Sequence, residues 1–344
     1  MRKPTIKDVA KHTGVSLKTV SRVINDESGV SAATRKHVQQ AIEMLGFRPN
    51  PSARSLRSAH AYALGLVYDN PNDHYVISLQ NGMLSTCQEH GFGLQILPCN
   101  GSSPTLADTL IAAVDRSRLA GLVLTPPMSE RSELLAALRE QGIACVCIIS
   151  SREDPGEQTP CVYVNDRGAA YAVTEHLIRL GHMRIGFLWG DMEHRSSQER
   201  HAGYAEALAD YGIGLDEQLV MSGRFSFDDG FRSARRLLAL ENRPTAIFGC
   251  NDEIAAGVLA AARSIGLDVP RDLSIAGFEG NPFSNQVWPP LTTAQQSTHE
   301  IGRQAALRLM AELQQASVSS SMAANLGFVP ELVVRGSTAT PPTM

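Results

Sequence analysis

At 344 residues and 43% apolar composition, the chain can bury a large core in two or three domains, and no apolar run reaches membrane-spanning length. Its formal charge of −4 hides a division: residues 1–57 hold 11 Lys and Arg against 4 Asp and Glu, while residues 58–344 hold 20 against 31. A basic head on an acidic body is what a duplex-binding unit produces when joined to a body with another task, because only the head must neutralise phosphates. A solvated pair of basic helices gives the same count, so motifs have to decide.

The chain opens Met-Arg-Lys-Pro-Thr and passes into a polar amphipathic pattern, from which we expect no secretory leader and a cytoplasmic protein. Six cysteines (Cys87, Cys99, Cys145, Cys147, Cys161, Cys250) lie scattered in apolar runs without metal-type spacing. They read as reduced core residues, and neither a metal nor a cofactor is expected.

Three short helices are predicted between residues 5 and 45. Thr5 is placed to cap the first, whose Ile6, Val9 and Ala10 share a face, and Gly14 ends it. Ser16 caps a second, Leu17 to about Asn25, with Val20, Val23 and Ile24 inward and Leu17, Lys18, Ser21 and Arg22 outside. The tight Thr13-Gly14-Val15 link makes the pair a helix-turn-helix whose second helix would read the major groove. Ser31 caps a third helix, Ala32 to Leu45, and the whole is a small, marginal domain. From residue 61 onward, apolar runs at 61–68, 92–97, 120–125 and 144–149 alternate with helical stretches near 78–90, 105–116 and 130–141. A second set follows at 162–164, 184–189, 218–221, 245–249 and 273–278, with helices near 168–180, 197–211, 227–239 and 252–265. Buried-strand runs alternating with helices predict one α/β parallel-sheet pattern repeated twice, doubly wound, with a cleft between the carboxyl ends of the strands.

The stretches TIKDVAKHTGVSLKTVSRVIN (5–25), VSAATRKHV and LGFRPN to Asn50 resemble the LacI/GalR family of transcription regulators, without a gap. The resemblance continues through VYVNDRGAAYAVTEHLIRLGHMRIGFLWG (162–190), ERHAGYAEAL (199–208), RPTAIFGCNDEIAAGVL (243–259), DVPRDLSIAGF (268–278) and PPLTTAQQ (289–296). It implies an all-α helix-turn-helix domain at 1–49, a hinge helix at 50–60, and an effector-binding and dimerisation body at 61–340 of the periplasmic sugar-binding type. Within that body, about 61–160 plus 292–325 would form one subdomain and about 161–291 plus 326–340 the other. The resemblance further implies that Leu17, Lys18 and Arg22 reach base edges while Thr5, Ser16, Thr19, Ser21, Asn25, Ser31 and Thr34 hold phosphates. That fits their chemistry: a guanidinium offers guanine a bidentate fork, whereas hydroxyls at helix N-termini position without specifying sequence. For Ser16 and Ser31, plain N-capping is compatible with the same role.

In residues 50–58 the resemblance implies a segment that pairs with its twin and pushes Leu56 into the minor groove, with Asn50, Ala53 and Arg54 alongside; packing of Leu56 onto the body is the alternative. Leu56→Ala is expected to reduce duplex bending in a circular-permutation gel shift, and unchanged bending would remove the wedge role.

For the cleft, the resemblance implies that Arg200 grips ligand hydroxyls or carbonyls and that Asn251, Glu279, Phe225, His194, Ser196 and Tyr75 line the rest. A surface ion pair with Glu199 or Glu206 competes for Arg200, and core packing for Phe225 and Tyr75. Two departures stand out: Glu279-Gly280 replaces the Asp-Asp pair of many relatives, and the polar segment Tyr68 to Tyr75 adds Asp69, Asn70 and Tyr75 as ligand groups, favouring a hydroxyl-rich sugar. The partners expected are pseudo-palindromic operator DNA, a small effector and a second copy of the chain in a twofold dimer, with no membrane role. The resemblance implies a repressor of carbohydrate-utilisation genes released from its operator by a small sugar, with corepression by a purine or other small molecule as the alternative. A plain sugar carrier is disfavoured by the basic head, and an enzyme by the lack of a phosphate-cradling loop, a nucleophile elbow or a metal cluster; His182 in Gly-His-Met-Arg invites a catalytic reading, but its place where a helix ends before a buried strand speaks against it.

Overall fold

A computed structural model describes residues 4–24, 29–47, 63–69, 72–150, 159–315 and 326–342. Asn25, Asn50, Ala53, Arg54, Leu56 and Asn70, with the expected hinge at 50–60 and nearly all of the low-complexity stretch 315–325, lie outside the described residues. The chain divides into two compact units, Met1–Tyr62 and Ala63–Met344.

The head holds α1 (Ile6–Thr13), α2 (Leu17–Ile24) and α3 (Ala32–Leu45). Each begins where a side chain satisfies the open N-terminus. The N–H and the hydroxyl of Thr5 both donate to Asp8 Oδ2 at 2.7 Å, Ser16 Oγ accepts from Thr19 N–H at 3.1 Å, and Ser31 Oγ accepts from Thr34 N–H at 3.2 Å. Gly14, left-handed at φ 70°, closes α1 by donating to Ala10 O and turns the chain into α2. Val9, Val20, Val23, Val38 and Ala41 form the buried core, with Ile6, Ala10, Ile24, Ile42 and Leu45 packed around it. So few apolar groups leave little reserve: Val20→Ala removes about 2 kcal/mol of burial and packing. We expect it to abolish duplex binding at physiological temperature while the body's thermal transition stays in place. Anisotropy and calorimetry on one sample check this, and an unchanged DNA affinity would show that the core holds without Val20.

The body opens with β1 (Ala63–Tyr68), α4 (Asp73–Glu89), β2 (Gly93–Pro98), α5 (Leu106–Ser117), β3 (Gly121–Leu124), α6 (Ser132–Glu140), β4 (Ala144–Ile149) and β5 (Cys161–Val164). It continues with α7 (Asp166–Arg179), β6 (Ile185–Leu188), α8 (Arg195–Asp210), β7 (Val220–Met221), α9 (Phe227–Leu238), β8 (Ala246–Gly249), α10 (Asp252–Ser264) and β9 (Ser274–Glu279). Last come α11 (Phe283–Gln286), β10 (Thr292–Gln295), α12 (Thr298–Gln315), β11 (Leu326–Phe328) and β12 (Glu331–Val333). One sheet runs β11-β5-β4-β3-β1-β2, all parallel; the other runs β12-β10-β9-β8-β6-β7, parallel except where β12 meets β10. Both place their first strand between the second and third, so the doubly wound pattern is present twice.

Sheet membership departs from the sequence-based boundaries at three places. Residues 161–164 belong to the first sheet, with Cys147 opposite Cys161 and Ile149 opposite Tyr163, whereas the run at 162–164 was expected to open the second. Residues 292–295 belong to the second sheet, with Thr292 opposite Ala276, and residues 326–328 return to the first beside β5. The chain therefore crosses after a strand each time, at 164–166, 295–298 and 328–331. The reason is topological: each sheet completes its fifth parallel strand before the chain leaves, and it leaves from the carboxyl ends, where the cleft lies. A short apolar run carries no mark of which sheet it will join.

Candidate functional site

On the head, the residues expected to touch DNA gather at the N-terminal ends of the three helices and along α2. Leu17 is 41% exposed, Lys18 is exposed, and Thr19, Ser21 and Arg22 are half-buried, so Ser21 and Arg22 lie less open than the periodicity suggested. The hydroxyls of Ser16 and Thr19 lie 2.9 Å apart, and those of Ser31 and Thr34 2.8 Å. Thr5, Ser16 and Ser31 thus each stand at a helix start, where the open N–H groups and the dipole favour an anion.

In the body, loops at the carboxyl ends of the strands border a cleft lined by charged, polar and aromatic side chains. Of the expected effector residues, Tyr75, His194, Ser196, Arg200, Phe225 and Glu279 line it. Tyr75 comes from the first turn of α4, His194 from the N-cap of α8, Ser196 and Arg200 from α8 itself, and Glu279 from the end of β9.

Arg200 is the hub. It is 4% exposed; its Nε donates to Asp166 Oδ1 at 2.7 Å, and its Nη1 donates to Cys250 O at 2.8 Å and faces Glu279 Oε1 at 3.5 Å. Its Cζ lies 3.9 Å above the centre of the Phe278 ring. Burial opposes its charge, but Asp166, Cys250 and Glu279 outweigh that and hold the guanidinium above its ordinary pKa. The competing surface pair does not form: Glu199 instead binds Arg167 at 2.9 Å and Arg195 at 3.2 Å. The approach of α8 to α7 that sets the Arg200–Asp166 distance depends on Gly203, where a Cβ would come within 2.1 Å of Arg167 O.

Burial pushes Glu279 up to about 7, against the pull of Arg200 and Asn72, and raises Asp166 as well. It also lowers His194, which favours the neutral ring, and raises Tyr75, with Asp166 and Glu279 adding to the shift. A carboxyl with a raised folded pKa favours the native state fully below its ordinary value of 4.5 and loses that contribution as pH rises through about 7. Glu279→Gln is therefore expected to gain stability relative to the parent as pH increases across that window. Parallel Tm–pH curves test this, and parallel curves with a constant offset would contradict it.

Three expected residues stand elsewhere or outside. Asn251 is not among the residues bordering the cleft: it is buried at the N-cap of α10, where its Oδ1 accepts from Ile254 N–H at 2.9 Å, while its buried Nδ2 has no hydrogen-bond partner among the described residues. Asp69, half-buried, also lies off the lining and accepts from Gly101 N–H at 2.7 Å, bracing one loop against another. Asn70 is outside the described residues. Phe225 both packs and lines, with its ring edge-on to His194 at 5.5 Å and tight against Gly190.

Sequence reasoning missed Asp166, Ser150, Gln296 and Asn72. Asp166 sat in the quoted Val164-Asn165-Asp166 run, where a carboxylate opens a helix after a strand, and that was the available signal. His182, expected between a helix end and a buried strand, is buried and bonded to Thr245 Oγ1 at 2.9 Å, Ser274 Oγ at 3.1 Å and Ala339 O at 2.9 Å. It fastens the C-terminal segment to the second sheet. Among the described residues no group of three His, Cys, Asp or Glu side chains could hold a metal, and no helix is long and apolar enough to cross a membrane.

A helix-turn-helix head and a two-layer body with a polar cleft between parallel sheets define a small-molecule-binding protein that carries a DNA reader. Residues 5–50 match the model for bacterial regulatory proteins of the lacI family, and residues 174–338 that for the periplasmic binding protein-like domain. The chain is 32% identical over 341 residues to the HTH-type transcriptional repressor CytR of Escherichia coli (strain K12), covering 98% of this chain and 97% of that one. Among solved structures it is similar to the lac repressor dimer bound to operator and the anti-inducer ONPF, with TM-score 0.77, 27% identity and coverage of 98% and 100%. It is also similar to the transcriptional regulator CelR–cellobiose complex, with TM-score 0.72, 29% identity and coverage of 97% and 99%. The chain belongs to the LacI family of DNA-binding transcription regulators.

Proposed function

We propose that this regulator is a cytoplasmic repressor that binds a pseudo-palindromic operator as a twofold dimer and is released by a small sugar. The arrangement that carries the effector reading is the Arg200 hub, which holds Asp166 and Glu279 as buried acceptors in a cleft that also offers Tyr75 and Ser196 hydroxyls and the Phe225 ring. Paired carboxylates accept from a polyol, hydroxyls exchange both ways, and an aromatic face covers apolar C–H surface. Cellobiose in one solved relative, and an operator-bound dimer in another, support the same reading. Leu17, Lys18 and Arg22 read base edges; Thr5, Ser16, Thr19, Ser21, Ser31 and Thr34 hold phosphates. No step of this role requires catalysis.

The geometry of DNA recognition is tested by selecting sites for the full chain from a random duplex pool and footprinting the products. Two inverted half-sites protected together are expected. Selection of a single unrepeated site bound by one chain would overturn the dimeric reading.

A further inference from the structure

The two walls of the cleft are joined directly by a residue outside its lining. Asn72 is 1% exposed and sits at the N-cap of α4 in the first layer. Its amide works in two directions. Oδ1 accepts from Tyr75 N–H at 3.1 Å, fixing the turn that presents Tyr75, while Nδ2 donates to Glu279 Oε2 at 2.5 Å on the second layer. A further contact crosses beside it: His74 meets Phe283 of α11 edge to face at 5.5 Å.

The Glu279 side is built to reach across. Glu279 has φ 96°, in the left-handed region that non-glycine residues avoid, and Gly280 follows at φ 69°, where a Cβ would lie 2.7 Å from Gln295 Cγ. Asp252 holds this turn, accepting from Asn281 N–H at 2.8 Å and from the Thr293 hydroxyl at 2.6 Å. Strained backbone that its surroundings over-determine is backbone arranged to aim a side chain.

We propose that Asn72 is a positioning residue that latches the two walls: through Glu279 it sets how far the second layer closes on the first, and any ligand donor that reaches Glu279 competes with it. The competition rests on the cleft binding a ligand, as argued above; the latch does not, and neither depends on what the head binds.

Hydrogen–deuterium exchange on the full chain tests this by reversing the polarity of the bond. Asn72→Asp keeps the N-cap acceptor but sets a second carboxylate against Glu279. Exchange should rise roughly tenfold in both segments 73–79 and 280–287, as local opening becomes easier. Adding Glu279→Gln places a donor on the opposite side, and both segments should return to within about twofold of the parent, the coupling expected of directly bonded partners. Should Asn72→Asp fail to fold, Asn72→Ser keeps an N-cap oxygen but shortens the side chain so that it no longer reaches Glu279, adds no charge, and should raise exchange in the same two segments. A rise confined to 73–79, a rise in neither segment, or a double variant that does not recover would each reduce Asn72 to a helix cap and overturn the latch.

Discussion

Arg200→Met is expected to destabilise the body by about 3–5 kcal/mol, the usual cost of removing one partner from a buried charge network. The guanidinium is the group that compensates both Asp166 and Glu279, 2.7 and 3.5 Å away and each at most 9% exposed. Methionine fills much of the volume but leaves two buried carboxylates without their cation. For a body of this size the fall in Tm should be roughly 10 °C. The loss should also depend on pH. The stranded carboxyls can take up protons as pH falls, and burial already holds Glu279 at about 7, so the deficit should be larger at alkaline than at mildly acidic pH. Asp166→Asn in the same background should recover part of it. Thermal unfolding of the three proteins at two pH values measures this; a small, pH-independent loss would mean that Arg200 is not the charge hub.

The second large effect is on the head. Arg22→Ala should weaken binding to a selected operator by about 1–3 kcal/mol, or 5- to 150-fold, and relax base preference at one position in each half-site. Arg22 lies in the last turn of α2, on the same helix as exposed Leu17 and Lys18, with its neighbours Val20 and Val23 buried. Ser16→Ala makes the informative contrast. It removes an acceptor that caps α2 and the hydroxyl proposed to hold a phosphate, so it should weaken every duplex alike and cost the head about 1 kcal/mol. If Arg22→Ala leaves base preference unchanged across the whole site, the reading role falls to other side chains.

How much of this was legible depended on what each residue answers to. Strands such as β4, Ala144-Cys-Val-Cys-Ile-Ile149, announce themselves because a parallel strand buried on both faces is a continuous apolar run. The three head helices were legible from their caps, because Thr5, Ser16, Ser31 and Gly14 act locally. The start of α4 was not. A helix was expected from residue 78, but it begins at Asp73, because Asn72 caps a first turn whose Asp-His-Tyr composition reads as loop. That error concealed the partner of Glu279. Asp166 escaped for a related reason, since its role is defined by Arg200, 34 residues on and one helix away. Sheet allegiance at the three crossovers was hidden as well, because apolar character reports burial and says nothing of which layer provides it.

Occupancy of the cleft is expected to control the head's affinity for DNA. Linkage makes it measurable in one experiment: operator affinity of the full chain, by fluorescence anisotropy at fixed salt, with and without the compound that raises the body's Tm most in a screen of sugars, sugar phosphates and purines. We predict a change of at least about fivefold, with operator altering the compound's affinity by the same factor. A compound that stabilises the body through the cleft yet leaves operator affinity untouched would contradict the account.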